Sequence, residues 1–257
     1  MTDAQSRESV AGSPPAGGVS DNGTLGNNND GNGGYTHWMI ALGVTALAMV
    51  AQRAVFSPAR AGQRSIVVIA GGCYALLALA AVWWLRGRGQ LTRALAPQRG
   101  DMTIGALTAG VMYMAGFVGG GVLMPSGSPR NAWLMRIYLH LGDPRARSVL
   151  LVGLAVLVIA ALEEVVWRGL VQRALAEQLG AGRALLVTSV LYALTHVTTL
   201  WQLGDPTAGY NPLLVSAALG GGLVWGAMAW RFGRLLPAVI AHALFSWAVV
   251  AFPLWRL

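Results

Sequence analysis

The sequence predicts an all-α protein, a polytopic bundle of about seven transmembrane helices. Of its 257 residues, 55% are hydrophobic and only 11% are charged, and the mean hydropathy is +0.54. A soluble domain carries roughly 25% charged residues. Several apolar runs also approach or exceed the ~20 residues that a helix needs to cross a bilayer. The chain is therefore expected to be a multi-pass membrane protein in contact with a lipid bilayer.

The charge and cysteine content exclude several other classes of protein. All 18 basic residues are arginine, and the net charge is +8. These arginines stand between apolar runs, where they anchor helix ends and signal topology. No nucleic-acid partner is therefore predicted. The single cysteine, Cys73, lies within an apolar run, so an intrachain disulfide and a cysteine-based metal site are both excluded.

Two regions of different composition define the predicted domains. Residues 1–34 are rich in Gly, Asn, Ser and Asp, and are expected to be a disordered N-terminal tail. Residues 35–257 are expected to form the transmembrane domain. Its predicted spans are 38–56, 66–85, 102–124, 149–175, 184–201, 213–230 and 235–255. The apolar segment within the connection 125–147 is too short to cross on its own and is interpreted as an interfacial or re-entrant helix.

Glycines at four-residue spacing predict two places where helices pack closely. One pair, Gly116 and Gly120, is in the third span, and the other, Gly222 and Gly226, is in the sixth.

The arginines of the second half of the chain predict its orientation. Arg173 and Arg183 follow the fourth span, and Arg231 and Arg234 follow the sixth, whereas the loop after the fifth has Asp205 and no basic residue. By the positive-inside rule, the loops after spans four and six are cytoplasmic. With seven spans, the N-terminus is then cytoplasmic as well.

The fourth span contains two adjacent carboxylates, Glu163 and Glu164. Ionisable residues at membrane depth are costly and mark functional sites by default. Glu164 and Arg168 are four residues apart on one helical face, which favours an ion pair. Glu163 has Trp167 at the same spacing, so it is expected to remain free. The alternative is a helix that ends at the membrane surface, with these charges in water.

Two later histidines make a buried site the preferred hypothesis. His196 in the fifth span and His242 in the seventh are expected at the depth of Glu163, in the cytoplasmic half of the membrane. A glutamate can then act as general base while a histidine polarises a carbonyl or donates a proton. The same three residues could instead bind zinc as a His₂Glu set. For His196, a structural hydrogen bond to a carbonyl is the alternative.

Three motifs in this order resemble those of the CPBP family, which comprises type 2 CAAX prenyl proteases and bacterial Abi or bacteriocin-processing relatives. The motifs are Glu163-Glu164-x-x-x-Arg168, Tyr192-x-x-x-His196 and Pro237-x-x-x-x-His242. The resemblance covers about residues 149–250, which would form the protease core. Outside this region, the first three spans match only in being hydrophobic.

The resemblance implies a role for each site residue. Glu163 would activate the attacking water, assisted by His196, and His242 would hold the oxyanion. The Glu164–Arg168 pair would position the site.

The chain departs from the family pattern at two positions. Phe is usual in the family where Tyr192 stands. Asn or Asp is usual at the position of Ser246, four residues after His242. Serine is shorter and supplies neither an amide nor a carboxylate, so the resemblance implies weaker or altered oxyanion stabilisation here.

The predicted function is that of an intramembrane endopeptidase acting on a membrane-associated peptide or protein. The lysine-free composition suggests a bacterial source, hence the bacterial inner membrane. Two alternatives remain: a bacteriocin-immunity or scaffold protein without turnover, which Ser246 favours, and a proton-coupled transporter that uses Glu163 as a relay. The sequence identifies neither the substrate nor a metal requirement.

Overall fold

The computed structural model describes residues 30–142 and 148–254, and it confirms the predicted all-α bundle. Most of the predicted tail, residues 1–29, lies outside the described residues. The helices are α1 (Asp30–Val55), α2 (Ser65–Gly87), α3 (Leu91–Leu95), α4 (Asp101–Leu123), α5 (Asn131–Leu141), α6 (Ser148–Glu164), α7 (Gln172–Leu179), α8 (Ala181–Thr195), α9 (Thr199–Gln202), α10 (Leu213–Phe232) and α11 (Leu236–Ala251). A short 3₁₀ turn, Pro58–Arg60, follows α1.

Six helical segments of the described chain are long and apolar enough to cross a membrane. They correspond to the first six predicted spans, and the fourth is the longest, at 30 residues from Leu150 to Leu179. The predicted seventh span is shorter than expected, because α11 ends at Ala251 after 16 residues. Pro253 explains this end, since a proline disfavours the helical conformation of the residue before it, here Phe252.

The fourth span is not a uniform α-helix. After Glu164 the backbone widens into a π-helical segment, Val165–Val171, before α7 begins. Such wide turns are rare and occur mostly at functional sites. The segment directly follows the two carboxylates and contains Arg168, which is buried.

The predicted fifth span is interrupted, because α8 ends at Thr195 and the chain turns at His196 before α9. Two threonine hydroxyls bond to backbone carbonyls at this break: Thr195 donates to Tyr192 and Thr199 donates to His196, both at 2.7 Å. Side-chain bonds of this kind compete with the regular helical pattern. His196 therefore lies at a helix end and not within a continuous helix.

Close helix packing holds α11, which carries His242, in the centre of the bundle against α4, α6 and α10. On α4 the tight contact is at Gly105, where an added Cβ would lie 2.6 Å from Ile240 Cγ2. The predicted close packing at Gly116 and Gly120 of α4 is wrong, because an added Cβ at either position would make only ordinary contacts. On α10 the prediction is confirmed at Gly222, where a Cβ would lie 3.2 Å from Ser189 Cα.

Helix α5 is the predicted helix within the connection 125–147. Leu134, Ile137 and Tyr138 on one of its faces are buried, and the Tyr138 hydroxyl donates to the Val249 carbonyl at 2.8 Å. Helix α5 thus packs against the last part of α11, at the opposite end of the bundle from Arg173 and Arg183.

Candidate active site

Glu164 is the centre of a buried network. Its Oε1 accepts a hydrogen bond from Arg168 Nη1 at 2.9 Å and lies 2.8 Å from Nδ1 of His242. All three side chains are buried. The structure therefore contains the predicted i, i+4 pair inside the protein, and the alternative of a solvated helix end is wrong.

The prediction that Glu163 remains free is wrong. Its Oε2 accepts a hydrogen bond from the Tyr192 hydroxyl at 2.8 Å and lies 3.7 Å from Nε2 of His242. The two glutamate side chains leave the helix in different directions, but both approach the His242 ring. Glu164 lies beside Nδ1 and Glu163 lies nearer Nε2. His242 thus lies between the two carboxylates.

Further contacts fix the orientation of His242 and Arg168. The Trp225 ring stacks on His242, with centroids 3.6 Å apart and planes 17° from parallel. Arg168 Nη2 donates to the Gly222 carbonyl at 3.1 Å, which links the network to α10. Sequence reasoning missed Trp225, because nothing in its local pattern distinguishes it from the other nine tryptophans.

His196 lies beside this network but is not hydrogen-bonded to Glu163. Its ring packs edge-on against Tyr192, with centroids 5.2 Å apart. Its Nδ1 lies 3.2 Å from the Tyr192 carbonyl, and its Nε2 lies 3.4 Å from the amide nitrogen of Gln52. A tautomer protonated at Nδ1 satisfies both contacts, since Nδ1 then donates and Nε2 accepts. Tyr192 therefore connects His196 with Glu163.

Gln52 is a second residue that sequence reasoning missed. It is buried and lines the same cavity as Glu163 and His242. The available signal in the sequence is a polar amide inside the first predicted span.

A cavity of about 490 Å³ lies directly against the site. Glu163, His242, Ser246 and Gln52 are among its polar lining residues, and its walls are otherwise mostly apolar side chains of α2, α4, α5, α6 and α11. Ser246 lies one turn after His242, and its hydroxyl forms no hydrogen bond with a described residue. A cavity of this size and character is typical of a ligand site, with few polar groups in an apolar wall.

The cavity extends toward the end of the bundle that holds α5, as its lining by Leu134, Leu141 and Leu254 indicates. This is the end opposite Arg173 and Arg183. With the predicted orientation, the cavity would extend away from the cytoplasm. The depth of the site itself, in the cytoplasmic half of the membrane, stays a prediction from the sequence.

The predicted zinc ligands are not arranged as a metal site. Zinc ligands lie about 2.0–2.2 Å from the ion. Glu163 and His242 are close enough to share an ion, but the Nε2 of His196 is directed at Gln52. Within the described residues, no three His, Cys, Asp or Glu side chains form a group that could hold a metal. Zinc remains a prediction from the sequence.

Comparison with known proteins supports the predicted family. Residues 145–248 match the family model described as "Type II CAAX prenyl endopeptidase Rce1-like". No curated protein and no solved structure matches the chain. The matched segment contains Glu163, Glu164, Arg168, His196 and His242. The match confirms the predicted resemblance to the CPBP/CAAX protease family over this segment.

Proposed function

We propose that this protein is an intramembrane endopeptidase that hydrolyses a peptide bond with a water activated by Glu163. One observation carries the proposal: Glu163 and His242 lie 3.7 Å apart at the wall of a large apolar cavity, with Glu164 behind the histidine. The match to a CAAX endopeptidase family supports the same reaction class. The protein acts in a membrane, and we propose the bacterial inner membrane.

In this mechanism Glu163 takes a proton from water as the water oxygen attacks the scissile carbonyl carbon. A tetrahedral intermediate forms with negative charge on the former carbonyl oxygen. Glu163 then transfers the proton to the amide nitrogen, the C–N bond breaks, and an acid and an amine leave. The Tyr192 hydroxyl holds one oxygen of Glu163 and so orients the base.

His242 is suited to stabilise the oxyanion. Glu164 accepts from its Nδ1, which leaves Nε2 directed toward Glu163 and the cavity. An N–H group at Nε2 would donate to the developing charge. Ser246 supplies a hydroxyl on the same wall where the family usually has an amide or a carboxylate. His196 acts indirectly, by packing against Tyr192.

The substrate proposed from the cavity is a membrane-associated peptide or protein with an apolar part. The cavity walls are mostly apolar, so a polar soluble peptide would lose its hydration without gaining hydrogen bonds. A non-catalytic scaffold and a proton-coupled transporter remain the alternatives. Neither requires Glu163 and His242 to face a cavity large enough for a peptide segment.

The experiment compares membrane peptides from cells that produce the wild-type protein with those from cells that produce Glu163→Gln. The proposal predicts at least one membrane protein that is shortened only with the wild type. Identical peptide profiles at equal protein levels would favour the scaffold. Ion-coupled uptake in proteoliposomes without proteolysis would favour the transporter.

A further inference from the structure

A second cavity, of about 310 Å³, lies at the end of the bundle where α7 and α10 end and α8 begins. No described residue lines both this cavity and the one beside Glu163. The family-derived mechanism gives it no role. Its lining includes three arginine side chains.

These three groups belong to Arg93, Arg168 and Arg173, and no acidic residue is among the lining residues. Glu164 compensates the charge of Arg168 from the other side. Neither Arg93 nor Arg173 forms an ion pair with a described acidic residue. The cavity thus carries about two uncompensated positive charges, which a bound anion would neutralise.

Hydrogen-bond donors without partners also indicate an anion-binding site. The Arg168 side chain is fully buried, yet its Nε has no hydrogen-bond partner. Arg173 is held in place by the side chain of Gln90 at 3.3 Å and the carbonyl of Gly233 at 3.1 Å. Since a guanidinium has five N–H donors, Arg173 keeps donors for a ligand. The Arg93 side chain makes no hydrogen bond to a described residue.

The position of the cavity indicates which anion it takes. Trp230, an exposed tryptophan near the end of α10, lines it. Tryptophans at the ends of membrane helices lie at the level of the lipid headgroups. Arginine forks match phosphate geometry. We infer that this cavity is a phosphate-binding site, which takes the phosphate of an anionic lipid headgroup or free phosphate. Its ligand would share the Arg168 guanidinium with Glu164.

The test measures ligand binding to the full-length protein in non-ionic detergent. Native mass spectrometry follows binding of phosphatidylglycerol, with phosphatidylcholine as the neutral lipid. In a separate arm, thermal unfolding is measured with added inorganic phosphate. The variants are Arg93→Gln and the double change Arg93→Gln/Arg173→Gln. A matched control, Arg86→Gln/Arg231→Gln, removes two charges near the same end of the bundle from exposed side chains outside the lining.

The double variant should lose roughly tenfold or more in phosphatidylglycerol affinity, and the control should bind like the wild type. Arg93→Gln alone should show part of the loss, and it removes no contact that holds the fold. A different result is that inorganic phosphate stabilises the wild type but not the double variant, while the protein shows no preference for the anionic lipid. That result would support the site, with free phosphate as its ligand. Equal losses in the double variant and the control, or no loss in either, would overturn the inference.

Discussion

At Glu164, one carboxylate oxygen accepts from Arg168 and faces His242, and the side chain is fully buried. Glu163, the adjacent residue, instead contacts the Tyr192 hydroxyl and borders the cavity. The first carboxylate therefore compensates a buried charge, and the second is placed to meet a substrate. Substitutions that remove only the charge should separate the two roles.

We expect Glu164→Gln to lose both stability and activity, because it leaves the Arg168 guanidinium buried without its counter-charge. Breaking a buried pair from one side costs roughly 3–5 kcal/mol. The additional change Arg168→Gln should recover part of that loss, since no unpaired charge remains. Thermal unfolding in detergent measures the free-energy differences. Equal destabilisation by Glu163→Gln and Glu164→Gln would contradict this division of roles.

Tyr192→Phe restores the residue that is usual in the family and removes one hydroxyl. We expect a loss of about 1.5–3 kcal/mol in the free energy of unfolding, because the lost hydrogen bond is to a charged group. Cleavage should fall by no more than about tenfold, since the hydroxyl orients Glu163 and takes no proton. Tyr113→Phe is the control, because it removes an exposed hydrogen bond to the Phe252 carbonyl. A much larger loss of cleavage with normal folding would mean that the hydroxyl takes part in the reaction.

For single residues, the sequence predicts those contacts of the site that the spacing along one helix determines. The Glu164–Arg168 contact follows from helical geometry alone, and the histidines follow from their rarity at membrane depth. The contacts of Gln52 and Trp225 could not be predicted, because they depend on how distant helices meet. The same limit explains why Glu163 was expected to be free: its partner Tyr192 lies on another helix.

At the scale of helices, hydropathy locates the spans but not their irregularities. The π-helical segment after Glu164 and the break at His196 leave no trace in an apolar pattern. Both irregularities place side chains of the candidate site, Arg168 in one case and His196 in the other. Close packing is similarly hidden, since α4 contains several glycines and only Gly105 meets a neighbouring helix tightly.

Gly105→Ala should destabilise the protein by roughly 1–3 kcal/mol, as expected for overpacking. The new methyl group would overlap Ile240, two residues before His242, so activity should fall as well. Gly110→Ala on the same helix is the matched control, because its Cβ would meet nothing within 4 Å. That change should be neutral or slightly stabilising. Similar unfolding temperatures for the two variants would show that α4 and α11 are not packed as described.

At the scale of the whole molecule, the orientation in the membrane determines from which side a substrate reaches the cavity. The loops after the fourth and sixth spans contain arginines and the loop after the fifth contains none. This difference predicts that Gly182 faces the cytoplasm and Gly209 the opposite side. The cavity extends toward the Gly209 end. Single cysteines at these positions, in a Cys73→Ser background, can be tested in intact cells with an impermeant thiol reagent. Labelling of Gly209→Cys alone is expected, whereas labelling of Gly182→Cys alone would reverse the orientation.

If Glu163 activates the water, the Glu163→Gln protein should lose turnover while it stays folded. The glutamine keeps the size of the side chain and can still accept from Tyr192, so the fold should be preserved. The measurement is cleavage of a membrane peptide substrate by purified, reconstituted protein, with thermal unfolding in parallel. A positioned general base contributes about 10²–10⁴-fold, so we expect at least that loss at an unchanged unfolding temperature. Full turnover by the folded Glu163→Gln protein would contradict this expectation.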